Sequence, residues 1–211
     1  MNDQSPWDRR FETLATVLLA AAALATAWST FQSGRWRGEQ AANTGKSNAA
    51  RIESSQASTR AGQLTQIDIA TFIQWSNADL AGNRRLAAFY RRRFRDEFRP
   101  AFDAWLATNP RENAKAPTSP FVMPQYLLAE AQRSDRLART ADRRSAAAAD
   151  ANRDADDYLL AVVLFASSLF FAGISTKVRS LRQRQVLLGL GCLIFLSGVV
   201  WVATSPINFS V

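Results

Sequence analysis

Three uninterrupted apolar stretches stand out in the pattern of hydrophobic and polar positions along this chain. They run from Leu14 to Trp28, from Tyr158 to Ile174 and from Val186 to Ala203, and none contains a charged residue. A membrane-crossing helix needs about 20 mostly apolar residues, because each residue adds about 1.5 Å across a hydrocarbon layer of about 30 Å. The pattern therefore predicts three transmembrane helices.

The polar regions around these stretches complete the predicted fold class, an all-α membrane protein. The expected segments are 1–31 (short cytoplasmic N-terminus and first span), 32–157 (helical extracytoplasmic region with a loop near 108–124), 158–174 (second span), 175–185 (basic cytoplasmic loop), 186–203 (third span) and 204–211 (extracytoplasmic tail). The region outside the membrane is expected to form a long helical, coiled-coil-like hairpin.

Small residues recur at helical spacing in both halves of the extramembrane region. In the first half, steps of four and three, the heptad pattern of a helix seam, connect Gly38, Ala42, Gly45, Ala49 and Ile52. In the second half the corresponding alanines are Ala131, Ala138, Ala141, Ala148 and Ala155. Small side chains let helix axes approach closely, so these rows are predicted to form an assembly seam.

The second row keeps its phase into the second apolar stretch. No proline interrupts the chain between Gln125 and Pro206. The continuing positions are Leu159, Val162, Ala166, Leu169 and Gly173. A single helix of about 50 residues is therefore predicted from Gln125 to Ile174.

The segment from Arg84 to Arg99 combines an aromatic stripe with many arginines. Tyr90, Phe94, Phe98 and Phe102 recur every four residues and so line one helix face. Gly82-Asn83 predicts a break before this helix, and Pro100 is expected to end or kink it.

Three interpretations of the stripe are open. In the first, the rings stack on nucleic acid bases; in the second, they lie on anionic lipid head groups; in the third, they form the core of the extramembrane bundle. A location outside the cytoplasm disfavours nucleic acid. Amphipathic helices in helical proteins usually face a core, so the third interpretation is favoured.

The charge distribution predicts an orientation. The short segments on one side of the predicted membrane carry six basic residues: Arg9, Arg10, Lys177, Arg179, Arg182 and Arg184. The positive-inside rule places them in the cytoplasm, with the C-terminus outside. The region between Gln32 and Asp157 holds 20 of the 26 basic and 15 of the 18 acidic residues, a mixture typical of a solvated helical surface.

The first apolar stretch has an alternative interpretation as a secretory signal peptide, because Ala25-Thr26-Ala27 matches a cleavage pattern. Acidic residues at Asp3, Asp8 and Glu12 and the helical periodicity beyond Ala27 favour an uncleaved anchor.

The residue types exclude several chemistries. The chain has no histidine and a single cysteine, Cys192, which excludes histidine-based catalysis and an intramolecular disulfide. Gly45-Lys46-Ser47 lacks the upstream glycine of a phosphate-binding loop, since position 40 is glutamine. The acidic group Asp150, Asp154, Asp156 and Asp157 is favoured as a solvated helix face over a divalent cation site. We therefore expect no enzyme activity, no cofactor and no metal.

The predicted spans contain no ionisable side chain, which argues against an ion-coupled transporter. An oligomeric pore lined by Thr, Ser and Gly is a further alternative. Small residues such as Ser168 and Gly198 are more typical of helix packing, and that interpretation is favoured.

Four blocks carry a family resemblance: WSTFQSGRWRGEQAA at 28–42, TRAGQLTQIDIATFIQW at 59–75, FRPAFDAWLATNP at 98–110 and YLLAVVLFASSLFFAGISTKVRS at 158–180. The chain resembles a group of small, uncharacterised bacterial inner-membrane proteins with one N-terminal span, a helical middle and a C-terminal pair of spans. The resemblance implies this topology and a bacterial envelope location. It implies no activity, cofactor or functional residue.

These patterns predict a non-enzymatic bacterial inner-membrane protein whose helical stalk mediates self-assembly or binds a partner membrane complex. The expected partners are the lipid bilayer and either further copies of the chain or another membrane protein, with no nucleic acid and no identified small-molecule substrate. The alternatives are a subunit of an oligomeric channel and a sensor ectodomain that signals through a partner.

Overall fold

Helices are the only regular secondary structure in the part of the chain that the structure describes, and it contains no strand. The computed structural model describes residues 6–178 and 180–208, with side chains from residue 10 onward. The elements are α1 (Pro6–Leu80), α2 (Arg84–Arg91), α3 (Arg99–Leu106), a 3₁₀ turn (Pro120–Val122), α4 (Ala129–Ser175) and α5 (Leu181–Thr204). Within this part of the chain, α1, α4 and α5 are long and apolar enough to cross a membrane.

The chain divides into two compact units. The first unit comprises Met1–Gly45 and Arg144–Val211, and the second comprises Lys46–Arg143. The helices α1 and α4 contribute to both units, whereas α5 belongs to the first and α2 and α3 to the second.

Small residues let the apolar helices of the first unit pack closely. Ala15 and Leu18 of α1, Ala172 of α4 and Leu188 of α5 form a buried cluster. The hydroxyl of Ser168 in α4 donates to the backbone oxygen of Gly191 in α5, at 2.9 Å. A side-chain hydroxyl reaches the opposite backbone only where a small residue stands there, and glycine fulfils that requirement.

The C-terminal segment of the first unit is held by side chains from two helices. The hydroxyl of Tyr158 and the indole N–H of Trp36 both donate to the carbonyl oxygen of Pro206, at 3.0 and 3.2 Å. The amide N–H of Asn208 donates to Oε1 of the buried Gln32, at 3.1 Å.

Serine hydroxyls connect α1 and α4 in the second unit. Ser47 donates to the carbonyl oxygen of Ala141 at 2.9 Å. Ser54 and Ser134 each donate to the other's carbonyl oxygen, at 2.9 and 3.0 Å. The partner numbers fall along α4 as they rise along α1, so the two helices run antiparallel.

The predicted break after the first long helix is confirmed. The α1 helix ends at Leu80, and Gly82 follows with φ of 70°, a left-handed conformation that glycine adopts without strain. Asn83 then caps α2, because its side-chain oxygen accepts a hydrogen bond from the amide of Leu86 at 3.0 Å.

The predicted single helix from Arg84 to Arg99 is wrong. The α2 helix ends at Arg91, and α3 begins at Arg99 with Pro100 in its first turn. Proline has no backbone N–H, and the first helical turn needs none, so Pro100 starts a helix here instead of ending one. The intervening turn also carries Arg95 to a buried aspartate.

The predicted start and internal phase of the last long helix are also shifted. The α4 helix begins at Ala129, four residues after Gln125. Beyond residue 157 its buried positions are Tyr158, Ala161, Phe165, Ser168, Ala172 and Ser175. The first five each precede one of the five predicted positions by one residue, because α5 covers this part of α4 from a second direction and turns the buried face towards itself.

Gly198 of α5 provides a test of this packing. A Cβ built on Gly198 would lie 2.8 Å from the ring of Phe165, whereas one on Gly189 has no atom within 4 Å. We expect Gly198→Ala to destabilise the protein by about 1–3 kcal/mol, the usual cost of overpacking. Thermal unfolding in detergent, followed by circular dichroism, measures this as a fall of several degrees.

Gly189→Ala is the matched control and should leave the midpoint unchanged or slightly higher, because alanine favours the helix. Equal midpoints for the two variants would contradict the contact between Gly198 and Phe165.

Candidate functional site

The second unit contains a carboxylate that no solvent reaches. Asp68 of α1 is fully buried, and its Oδ2 accepts a hydrogen bond from Nη1 of Arg95 at 2.8 Å. The hydroxyl of Tyr126 donates to the same oxygen at 3.1 Å. Since buried charges are unfavourable unless they are paired, the turn that carries Arg95 has to fold against α1.

Glu97 extends this network to the beginning of α4. Its Oε2 forms an ion pair with Arg95, and its Oε1 accepts a hydrogen bond from the amide of Ala129 at 3.0 Å. Ala129 is the first residue of α4, where backbone N–H groups have no acceptor within the helix. One continuous series of contacts therefore joins α1, the turn before α3 and the start of α4.

Burial shifts the titration of this network. Burial raises the pKa of Asp68 above its ordinary value of 3.8, and the guanidinium of Arg95 and the hydroxyl of Tyr126 oppose the shift in part. Burial also raises the pKa of the Tyr126 hydroxyl, so the group keeps its proton and serves as a donor. Two carboxylates share the single guanidinium of Arg95, which adds a smaller upward contribution from Glu97.

An aromatic core lies beside the network. Phe94, Phe98 and Phe102 are buried, and Tyr90 packs against them from a half-buried position. The structure thus places the predicted stripe in a core, although on two helices and a turn instead of one helix. Phe98 stacks on Phe121 of the 3₁₀ turn, with centroids 5.1 Å apart and planes 13° apart.

Sequence reasoning did not identify Asp68 or its partners. The signal that identifies Asp68 is its position on the buried face of α1, at helical spacing from the buried residues Ala61 and Trp75. A charged residue on such a face requires a partner, but Arg95 is one of many arginines nearby, and the sequence does not single it out.

The two halves of the predicted seam differ in burial: the α4 half is buried or half-buried, and the α1 half is exposed. Ala141, Ala148 and Ala155 are buried, and Ala131 and Ala138 are half-buried. In α1, the residues Gly38, Ala42, Gly45 and Ala49 are all exposed. The buried face of α1 in this region instead carries serine and asparagine, at Ser33, Asn43 and Ser47, because their polar atoms have partners on α4.

The basic residues predicted to set the orientation lie near the helix ends. Arg10, Lys177 and Arg182 are exposed. The guanidinium of Arg184 lies 6.0 Å from the ring centroid of Phe11. The side chain of Arg9 and the whole of Arg179 lie outside the described residues.

The acidic group on α4 is tied to neighbouring side chains. Asp150 pairs with Arg153 at 2.9 Å, and Asp156 accepts a hydrogen bond from Asn152 at 3.1 Å. Burial and the nearby Asp157 and Asp150 raise the pKa of Asp154. Across residues 6–178 and 180–208, no cluster of three or more acidic, cysteine or histidine side chains is placed to hold a metal ion.

The raised pKa of Asp68 predicts a pH-dependent stability. The folded protein holds the Asp68 proton more tightly than the unfolded chain, so the contribution of Asp68 to stability increases as the pH falls through its raised pKa and levels off below 3.8. Asp68→Asn removes this contribution. Thermal unfolding between pH 7 and pH 4 should therefore show a smaller gain for Asp68→Asn than for the original protein.

Asp103→Asn serves as the control, since Asp103 is exposed and pairs with Arg91 at 2.8 Å away from the network. It should keep the original pH profile. If Asp68→Asn also keeps it, the buried carboxylate does not titrate in this range.

The arrangement joins α1, the turn before α3 and the start of α4, and its polar groups pair with one another except Oδ1 of Asp68, which has no partner among the described residues. A comparison of the chain with protein families, with curated proteins and with solved structures finds no significant match to any of them. The resemblance to small bacterial inner-membrane proteins therefore stays a prediction.

Proposed function

We propose that this chain is a non-enzymatic membrane protein of the bacterial inner membrane whose helical stalk mediates assembly, first of all with further copies of itself. The single observation that carries the proposal is a row of small residues on the exposed surface of α1. In the first unit the row consists of Gly34, Gly38, Ala42 and Gly45.

The glycines of this row are unused within the chain. All three are exposed, and a Cβ added to Gly34, Gly38 or Gly45 meets no atom within 4 Å. A glycine inside a helix costs about 1 kcal/mol relative to alanine. The packing of the chain on itself therefore does not require these glycines, whereas a second helix lying against the row would.

The spacing of the row suits a helix partner. Gly34 and Gly38 are four residues apart, as are Gly38 and Ala42, so they occupy one side of α1. Small residues at this spacing form a shallow groove that brings two backbones close together. The opposite side of α1 carries the buried Ser33, Asn43 and Ser47, so the groove faces away from α4.

The membrane location rests on the three apolar helices and the orientation on the basic residues near their ends. We place the N-terminus and residues 175–185 in the cytoplasm, and residues 32–157 outside it, because short basic segments stay on the cytoplasmic side. Exposed apolar side chains such as Leu24, Val163 and Leu193 suit contact with lipid.

A double substitution, Gly38→Leu with Gly45→Leu, tests the assembly face. Leucine fills the groove but favours the helix more than glycine does, so the single chain should stay folded. We expect the original protein in detergent to have the mass of a dimer or larger assembly, and the variant to have a smaller mass. Light scattering after size-exclusion chromatography measures both.

Gly62→Leu is the matched control, because Gly62 is also an exposed α1 glycine with open space around it but lies outside the row. It should leave the mass unchanged. A monomeric original protein over a wide concentration range would refute self-assembly. An unchanged mass in the double variant would refute this face.

Cysteine labelling tests the orientation. In a Cys192→Ser background, we introduce Ala114→Cys in the loop before the 3₁₀ turn or Ser180→Cys before α5, both at exposed positions. A membrane-impermeant maleimide added to intact spheroplasts should label position 114, and should label position 180 only after permeabilisation. The reverse pattern would invert the proposed topology.

A further inference from the structure

An open cleft of about 600 Å³ lies in the second unit, where α1, α2 and α3 meet. It is lined by the end of α1, one face of α2, the end of α3 and residues 109–112. Clefts of about 300–1,000 Å³ accommodate small organic molecules. Its size is therefore suitable for one such molecule. Binding of a small molecule here does not depend on the proposed assembly.

Two indole rings contribute to the apolar lining of the cleft. Trp75 is buried and Trp105 half-buried, and their ring centroids are 6.4 Å apart at an angle of 81°. The indole N–H of Trp105 donates to the carbonyl oxygen of Pro117 at 2.8 Å, which holds this ring in place. A planar or otherwise apolar group would find a preformed surface here.

Three arginines line the cleft, and two of them are already neutralised. Arg91 pairs with Asp103 at 2.8 Å, and Arg111 pairs with Asp79. Arg84 has no ion pair or side-chain hydrogen bond with any residue that the structure describes. Its guanidinium presents a planar fork of donors that matches a carboxylate.

An unpaired carboxylate in the cleft limits the negative charge that a ligand can carry. Glu112 also lines the cleft and has no cationic partner among the described residues. Its carboxylate repels a doubly charged anion more strongly than a singly charged one. A cleft lined by one unpaired guanidinium and one unpaired carboxylate therefore suits a ligand with a single negative charge.

We infer that this cleft binds a small organic monocarboxylate with an apolar, planar body, its carboxylate on Arg84 and its body against Trp75 and Trp105. The site lies where the chain turns back between its two long helices, and it shares no residue with the proposed assembly face. The inference adds a small-molecule ligand to the partners that the sequence predicts, which are the lipid bilayer and other protein chains.

Isothermal titration of the full-length protein in detergent with 4-phenylbutyrate tests this inference, with a protein-free detergent titration as the blank. We expect saturable binding that Arg84→Ala weakens by about ten-fold or more, the usual effect of losing a hydrogen-bonded charge. Arg85→Ala is the matched control, since Arg85 is the next residue, is exposed and does not line the cleft. It should bind as the original protein does.

Two comparison ligands test the assigned charge. The neutral 4-phenyl-1-butanol should bind at least about ten-fold more weakly than 4-phenylbutyrate, because it cannot form the charged pair. Phenyl phosphate at pH 8 should also bind more weakly, and Glu112→Gln should strengthen its binding selectively.

The inference is overturned if 4-phenylbutyrate does not bind, or if Arg84→Ala and Arg85→Ala bind it equally. Equal binding of the alcohol, or tighter binding of phenyl phosphate, would overturn the monocarboxylate assignment. Arg84 has no partner to lose, so Arg84→Ala should retain the original unfolding midpoint. The oligomeric mass of each preparation reports separately on the proposed assembly.

Discussion

Close contact between two antiparallel helices is the constraint on which the second unit depends. Hydroxyls of Ser47, Ser54 and Ser134 reach backbone oxygens of the opposite helix at 2.9–3.0 Å. Such bonds form only where the residues between the helices are small, and the buried alanines on both helices meet that condition. A seam of this kind buries little apolar area, so hydrogen bonds and close packing have to supply the stabilisation that large apolar side chains would otherwise give. This explains why the stalk is rich in serine and alanine.

The end of the second unit solves the opposite problem with large side chains. Nine aromatic residues, among them Phe72, Phe98 and Phe102, gather in this core, and the Asp68–Arg95–Glu97 network lies beside them. The rings supply the buried area that the seam lacks, and the network specifies how the turn before α3 meets α1 and α4. A buried carboxylate tolerates few alternative arrangements, because any other placement would leave its charge unpaired. The same folding back creates the cleft beside Trp75 and Trp105.

The surface of the chain separates into regions with different expected partners. The apolar sides of α1, α4 and α5 suit lipid, the exposed glycine row of α1 suits another helix, and the cleft suits a soluble anion. These assignments depend on different residues, so the glycine row and the cleft can each be altered without changing the other. The proposed assembly and the proposed ligand can therefore be tested independently in one protein.

The sequence by itself determined the helical class, the three apolar helices, the break at Gly82-Asn83 and the aromatic composition of the core. All of these follow from local composition and periodicity, which act within a few residues. Only the tertiary structure decided which face of α1 is buried, since small residues occur on several of its faces and the choice depends on the partners that α4 offers. It also decided the role of Pro100, because a proline in the sequence is compatible either with the end of one helix or with the first turn of the next. Asp68 and Arg95, which pair with each other, are 27 residues apart along the chain. Contacts at that distance depend on how the whole unit folds, and no local pattern specifies them.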